Sequence, residues 1–231
     1  MKNLRFISFW LLFTMGLATV VFNACGDDKD DPKQEQNDPK NDPKDDPKND
    51  PFTDKGVVIN GVTWATRNVD VPGKFADKPE DAGMFYQWNN KTAWPVTGDI
   101  TNWNTVVATG RKWKEANDPS PAGWCVPTHN EIKKLVESKD VTYEWITING
   151  IKGGKFTDTT TGNSIFLPAL GCRSSISSTI QYEGGGYYWS NEAYTPDDDD
   201  AGVYHIGISS EEAGWGCTYR LRGQFIRCVK E

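Results

Sequence analysis

The chain has 231 residues and a formal net charge of -7, and 37% of its residues are hydrophobic. This length allows one well-buried domain in addition to a polar N-terminal region. Because the chain is acidic and carries no basic stripe, nucleic acid is excluded as a partner.

The first 24 residues have the pattern of a secretory signal peptide. Two basic residues precede an apolar run over residues 6–22. The run is borderline in length for a single membrane helix, but the chain becomes polar directly after it. The small Ala24 before Cys25 resembles a bacterial lipoprotein cleavage site. We therefore expect a lipidated Cys25 carrying palmitate-type chains, with a plain cleaved signal or an uncleaved anchor as alternatives.

Residues 25–55 form the lipidated cysteine and an Asp/Pro/Lys-rich linker. Residues 26–55 contain eleven acidic and six basic side chains and almost no apolar ones. Such a segment cannot offset its ordering entropy by apolar burial, so we expect a disordered stalk. The acidic run over residues 26–31 resembles the export tag of surface lipoproteins in Bacteroidota. We expect attachment to the outer membrane with surface exposure, and the periplasmic face is the alternative.

Residues 56–231 are expected to form one domain made mainly of short strands. Asn60-Gly61 and Asn149-Gly150 each separate two apolar runs, which predicts two hairpins with type I′ turns. Further predicted strands, each bounded by Gly, Pro, Asn or Asp, are residues 84–88, 164–170, 187–190, 203–208 and 224–229.

One helix is predicted to begin near Thr128. Thr128 and Glu131 fit a capping box, and apolar residues follow at helical spacing. A second, short helical turn over residues 107–115 has weaker support. The predicted class is α+β with antiparallel strands.

Six motifs resemble the Fibrobacter succinogenes major paralogous domain family. In chain order they are INGVTWATRNVD, AGMFYQWN, DPSPAGWCVPTHNEIKKL, SIFLPALGCR, GGGYYWS and GQFIRCVK. The resemblance covers nearly all of residues 56–231. It implies a C-type-lectin-like fold with one or two helices, shared loosely with formylglycine-generating enzymes, in secreted or lipid-anchored surface proteins.

The cysteine pattern departs from this family. Many members have PCPAGWRVPT, whereas here Ser120 replaces the cysteine and Cys125 stands where arginine is usual. In an oxidising compartment, four cysteines besides Cys25 can pair in three ways, and the residues do not choose among them. The nested pairing of C-type lectins implies Cys125 with Cys228 and Cys172 with Cys217.

Cys125 and His129 lie four positions apart and raise the question of a nucleophile and its base. No orienting acid is evident, and the start of a helix disfavours a charged imidazolium. We expect a disulfide and a helix cap, and no catalytic site. With only His129 and His205 as histidines, zinc is not expected.

The acidic run Asp197, Asp198, Asp199 and Asp200 is a weak candidate for calcium. The resembled lectins bind sugar through calcium with Glu-Pro-Asn or Gln-Pro-Asp and Trp-Asn-Asp tripeptides, and none of these is present. We therefore expect no cofactor, with calcium as the alternative.

Loop residues that combine planar rings with charged groups are the candidates for ligand contact. These are Arg173, Tyr182, Tyr194, Glu211, Glu212 and Trp215. In contrast, Trp64, Trp88, Trp124 and Trp189 lie inside the family motifs and are predicted to be core residues.

Three functions are consistent with these patterns. The first is a noncatalytic surface lipoprotein that binds a glycan or a surface protein through its loop face. The second is a structural role within a surface appendage or envelope complex. The third is an enzyme related to the formylglycine-generating enzymes, which would need a reactive cysteine.

Overall fold

The computed structural model describes residues 53–194 and 202–231. The predicted signal peptide, Cys25, most of the linker and the calcium candidates Asp197, Asp198, Asp199 and Asp200 lie outside the described residues. The strands are β1 Val57–Ile59, β2 Val62–Trp64, β3 Trp124–Cys125, β4 Val141–Ile148, β5 Ile151–Asp158, β6 Ser164–Pro168, β7 Cys172–Arg173, β8 Ile180–Gln181, β9 Gly186–Ala193, β10 Val203–Ile208, β11 Ala213–Thr218 and β12 Val229–Lys230. The helices are α1, His129–Val136, and a 3-10 helix, Glu115–Asn117.

The strands form four small sheets in which every pair of strands is antiparallel. Their orders are β1-β2-β12-β3, β11-β10-β9, β4-β5-β6 and β7-β8. With helix α1 packed on β9, β10 and β11, the class is α+β, as predicted. Within the described ranges, no helix is both long enough and apolar enough to cross a membrane.

Both predicted hairpins are confirmed. Asn60 and Gly61 have φ values of 46° and 73° between β1 and β2, and Asn149 and Gly150 have 49° and 85° between β4 and β5. Positive φ at both turn residues matches the twist of the flanking strands, which explains the choice of Asn-Gly.

Helix α1 begins as predicted. The Thr128 hydroxyl accepts a hydrogen bond from the Glu131 amide, and the Glu131 carboxylate accepts one from the Thr128 amide. Ile132 and Leu135 face the core and are buried. The helix therefore has a fixed start and a buried face, although it is only eight residues long.

Two predicted strands and the weak helical turn are corrected. Residues 84–88 and 224–228 run close to one another, but only isolated bridges such as Tyr86 with Gln224 join them. The short helical turn predicted over residues 107–115 is instead a 3-10 helix at Glu115–Asn117, which shares only residue 115 with the predicted range.

Two hydrophobic cores hold the sheets together. The first lies beneath α1, β4–β6 and β9–β10, and the second contains the larger share of tryptophan. All four tryptophans predicted to be core residues are buried, which confirms that prediction.

The folded region starts slightly before residue 56. Asp54 is buried, and its carboxylate accepts hydrogen bonds from the amides of Gly56 and Thr66 and from the Arg67 guanidinium. The predicted boundary after residue 55 therefore cuts through an anchoring contact.

The four described cysteines are free, so neither expected disulfide is present. Cys125 lies opposite Val229 in the pairing of β3 with β12, and Val229 belongs to the first core. Because side chains alternate along a strand, Cys228 points to the other side, into the second core. In the structure the two side chains therefore lie on opposite sides of the sheet and are not paired.

Cys172 and Cys217 have different neighbours. Cys172 is buried with its sulfur 3.4 Å from Arg222 Nη1, whereas Cys217 is exposed on β11 opposite Tyr204. The pairing taken from the lectin resemblance is not found here either.

Cys228 instead contacts Ser120. Its thiol donates a hydrogen bond to the Ser120 hydroxyl over 3.1 Å, across 108 residues of chain. Ser120 is the position at which many members of the resembled family carry cysteine.

We predict that Ser120→Cys forms a disulfide with Cys228 under oxidising conditions. A bridge closing a loop of this length stabilises the folded state by about 5 kcal/mol in the chain-entropy model. Peptide mass spectrometry without reduction and chemical denaturation measure the two effects. Ser210→Cys, on an exposed turn, serves as the control and should remain a free thiol. Two unpaired thiols in Ser120→Cys would contradict the prediction.

Candidate functional site

The six loop residues predicted to touch a ligand do not converge on one site. Arg173 is buried, while Tyr182 and Glu212 lie near a concave surface on one face of the β9–β11 sheet. Tyr194 and the ring of Trp215 belong to an aromatic cluster on the other face, although Trp215 also contributes to the lining of the concave surface. The remaining residue, Glu211, is exposed in the turn between β10 and β11.

Arg173 has a structural role, and its predicted ligand contact stays a prediction because the residue also lines a concave surface with Asp99 and Ser177. It is only 1% exposed, and its guanidinium donates hydrogen bonds to the backbone carbonyls of Pro95, Ser178 and Gly98. A charged group saturated by carbonyls holds the segment at residues 95–98 against β7. Burial lowers the pKa of Arg173, although nearby Asp99 opposes this shift.

The concave surface, here called the glycine trough, has a cavity volume of about 240 Å³. It lies on the β9–β11 sheet and is lined by Tyr187, His205, Gly207, Ile208, Ser209, Glu212, Gly214, Trp215 and Gly216. Its floor exists because the sequence places glycines at alternate positions of β11, Gly214 and Gly216, and one glycine, Gly207, in β10.

The register explains how the glycines form the floor. Gly207 lies opposite Gly214, and His205 lies opposite Gly216. A Cβ atom added at Gly207 or Gly214 would meet nothing within 4 Å, whereas one at Gly216 would lie 2.8 Å from His205 Nε2. The glycines thus leave open space above the sheet and let the His205 ring lie across β11.

One wall of the trough is a chain of rings. The Tyr187 ring lies 5.8 Å from that of His205 and 5.9 Å from that of Tyr182, within the range of favourable aromatic contact. The Arg222 guanidinium lies 5.2 Å from the centre of the Tyr182 ring. Tyr182 is 58% exposed, so one aromatic face at this wall remains open to solvent.

His205 is an uncharged polar group at the trough. The Gln224 side-chain amide is 2.9 Å from His205 Nδ1. Burial lowers the pKa of His205 to about 4, while the Gln224 contact opposes this shift. With Gln224 donating to Nδ1, the proton of the neutral ring resides on Nε2, which makes Nε2 a hydrogen-bond donor.

Glu212 places a carboxylate at the end of the trough. The Ser209 hydroxyl accepts hydrogen bonds from the amides of Glu211 and Glu212, and the Ser209 amide donates to the Glu212 carbonyl. This compact turn keeps the Glu212 side chain exposed. The trough therefore combines an aromatic wall, a donor and an acceptor.

The opposite face carries the aromatic cluster of His129, Tyr194, Tyr204 and Trp215. The His129 ring stacks on Tyr204 at 3.6 Å, and Tyr194 and Trp215 meet Tyr204 edge to face at 5.5 and 5.6 Å. The Trp215 indole N–H donates to the Glu137 carboxylate. This cluster joins helix α1 to the β10–β11 hairpin, so His129 has a packing role.

Cys125 has the properties of a structural thiol. Burial, with a contribution from the carboxylates of Asp118, Glu131 and Glu231, raises the pKa of Cys125 to about 12. Its side chain packs against the first core, whereas the His129 ring packs against Tyr204. A thiol that stays protonated at neutral pH is a poor nucleophile.

Within residues 53–194 and 202–231, no group of three or more His, Cys, Asp or Glu side chains is placed to hold a metal ion.

Comparison with known proteins gives no family assignment. No family model, curated protein or solved structure matches this chain.

The sequence patterns did not predict the glycine trough, although the spacing of the glycines contains a signal for it. Glycine occurs at alternate positions in GWG of β11, and Gly207 follows His205 at the same spacing in β10. Such spacing puts glycines on one face of a strand, but only the register of the two strands shows that these glycines meet.

We predict that Arg173→Lys lowers the free energy of unfolding by about 2–3 kcal/mol. One ammonium group cannot reach carbonyls on both sides of the guanidinium, so buried acceptors lose their donors. Chemical denaturation measures the loss. Lys139→Arg, the reverse exchange at an exposed lysine, is the control and should stay within about 0.5 kcal/mol of the parent. A stable Arg173→Lys variant with impaired ligand binding would instead restore Arg173 as a contact residue.

Proposed function

We propose that this chain is a noncatalytic cell-surface lipoprotein that binds a carbohydrate or surface-protein ligand at the glycine trough. The observation that carries the proposal is an open concave surface whose floor is glycine and whose wall is aromatic. Binding sites are concave and combine apolar surface with a few placed polar groups.

The chemistry of the trough favours a sugar ring. A pyranose presents an apolar C–H face and a rim of hydroxyl groups. The ring of Tyr182 or Tyr187 can accept the apolar face, while His205 Nε2 and the Glu212 carboxylate supply a donor and an acceptor for hydroxyls. Because His205 is uncharged at neutral pH, it matches the neutral hydroxyl groups of a sugar.

The noncatalytic part of the proposal is supported by the thiols. Burial raises the pKa values of Cys125, Cys172, Cys217 and Cys228. An enzyme that depended on a reactive cysteine would need the opposite shift.

The anchor and the fold family rest on sequence patterns. The apolar run before Cys25 and the acidic linker after it support lipid attachment at the outer membrane, surface-exposed or facing the periplasm. The six family motifs support a C-type-lectin-like arrangement, and the observed α+β class is compatible with it.

A structural or assembly role is the second candidate, and one observation favours it. No strand in the described part of the chain pairs with the outer edge of β11, and this edge carries no charge or proline. An unprotected edge strand with an exposed Trp215 can pair with a strand of another protein.

We predict that the full chain binds glycans on an array and that Gly214→Val reduces this binding at least tenfold. The valine side chain would fill the trough, while its β-propensity should keep stability within about 1 kcal/mol of the parent. Titration calorimetry with the strongest-binding glycan measures the affinity, with and without calcium.

Two exposed tyrosines provide a matched control. Tyr182→Ala should weaken binding, whereas Tyr219→Ala should not, although the two side chains are 58% and 62% exposed. Unchanged affinity in Gly214→Val would exclude the trough as the site. An array without hits, with or without calcium, would favour the structural role.

We also predict that Cys25→Ser moves the protein from the membrane fraction to the soluble fraction. Removing the lipidated thiol eliminates the acyl chains that hold the protein at the bilayer. Detergent phase partitioning in a host with lipoprotein processing measures this change, and protease treatment of intact cells distinguishes the outer face from the periplasmic face. Membrane retention of Cys25→Ser would indicate an uncleaved anchor.

A further inference from the structure

The aromatic wall of the glycine trough carries a cation. The Arg222 guanidinium lies 5.2 Å from the centre of the Tyr182 ring, and Tyr182 lies 5.9 Å from the Tyr187 ring that lines the trough. Arg222 is half-buried, so part of its side chain is open to solvent. A ligand that rests on the exposed Tyr182 ring would therefore lie beside the guanidinium.

The groups that contact the Arg222 guanidinium are neutral. Arg222 Nη1 donates to the Cys172 sulfur over 3.4 Å and to Gln181 Oε1 over 3.5 Å. Burial raises the pKa of Cys172, although Arg222 opposes this shift, so the thiol stays protonated at neutral pH. The ion pairs found among the described residues are made by other side chains. Within residues 53–194 and 202–231, no carboxylate therefore neutralises Arg222.

The buried arginines have a different role from Arg222. Each of them donates to a backbone carbonyl of another segment: Arg67 to Ala76, Arg173 to Pro95, Arg220 to Ala108 and Arg227 to Ala65. Such contacts tie segments of the chain together. The hydrogen bonds of Arg222 to described residues go to side chains only, so its guanidinium fastens no backbone segment in this way.

The charge of Arg222 acts on the trough itself. Burial raises the pKa of Tyr187, and Arg222 opposes this shift. Burial also lowers the pKa of His205, and Arg222 adds to that effect. No carboxylate among the described residues contributes to either shift. The side of the trough formed by β9 therefore has a positive potential.

The carboxylate of the trough lies on its other side. Glu212 precedes β11, and β11 and β9 are separated by β10 in the order of the sheet. Because like charges repel, a negative group on a ligand is directed away from Glu212 and toward Arg222. The trough can therefore fix the orientation of a ligand that carries one negative charge.

We propose that the glycine trough selects sugars that carry a carboxylate, such as hexuronic acids, and that Arg222 binds this carboxylate. The inference rests on the proposed function, since it names the class of sugar for the same site. The apolar face of the pyranose lies on Tyr182, and its hydroxyl groups meet His205. The planar fork of N–H donors in arginine matches a carboxylate in a bidentate manner, which a lysine ammonium does not reproduce.

The test compares acidic glycosides with their neutral counterparts. The ¹⁵N-labelled full chain is titrated with methyl glucuronide and methyl galacturonide, and then with methyl glucoside and methyl galactoside. The amide signals of Gly207 and Gly214 report binding at the floor of the trough. At least one uronide should bind about tenfold more tightly than its neutral counterpart, because charge-assisted hydrogen bonds are the stronger ones. The methyl ester of that uronide, which has no charge, should bind like the neutral glycoside.

Variants of Arg222 separate the carboxylate contact from the rest of the site. Arg222→Gln should abolish the preference for the uronide and leave the affinity for the neutral glycoside unchanged, which also shows that the variant is folded. Arg222→Lys should keep part of the preference, since it retains the charge without the fork. Lys139→Gln, an equal change of charge at an exposed lysine, is the control and should keep the full preference.

The outcomes distinguish this inference from the proposed function. Equal affinities for uronide, ester and neutral glycoside would overturn the selection of acidic sugars and leave the trough as a sugar site. A preference for the uronide that persists in Arg222→Gln would overturn the role of Arg222. If none of the glycosides shifts the Gly207 and Gly214 signals, sugar binding at the trough is itself refuted.

Discussion

The fold depends on burying the C-terminal segment, residues 224–229, between the two cores. Its backbone bonds to three other parts of the chain, through Ala65, Tyr86 and Trp189 among others. Phe225 and Val229 enter the first core, while Ile226 and Cys228 enter the second, as alternation along an extended chain requires. A backbone covered on both sides must satisfy its polar groups internally, so its neighbours are held at fixed distances.

The glycine trough lies beside this segment. Gln224 reaches His205 at the trough, and Phe225 bonds to the backbone of Tyr187 and Trp189 in β9. At the other end of the segment, β12 places the Lys230 ammonium 5.0 Å from the centre of the Trp124 ring. The segment therefore positions side chains of β9, β10 and β3, which are far apart in sequence.

Local signals predicted local structure well. Asn60-Gly61, Asn149-Gly150 and the Thr128–Glu131 capping box each act within four residues, and each is found where expected. The candidate site depended instead on register and burial. Arg173 is the type of residue that often contacts ligands. In the structure, however, it donates hydrogen bonds to carbonyls of residues 95–98, which lie more than 70 residues away in sequence. No local pattern contains that information.

The cysteines show the same limit of prediction from local sequence patterns. Cys125 lies in β3 opposite Val229 of β12, and Cys228 directly precedes Val229, but a shift of one position along an extended chain puts a side chain on the opposite face. Ser120, five residues before Cys125, lies on the same side as Cys228, and its hydroxyl accepts a hydrogen bond from the Cys228 thiol. A cysteine at position 125 therefore packs against the first core, whereas Cys228 packs in the second, and only the fold decides which of the two cores each thiol enters.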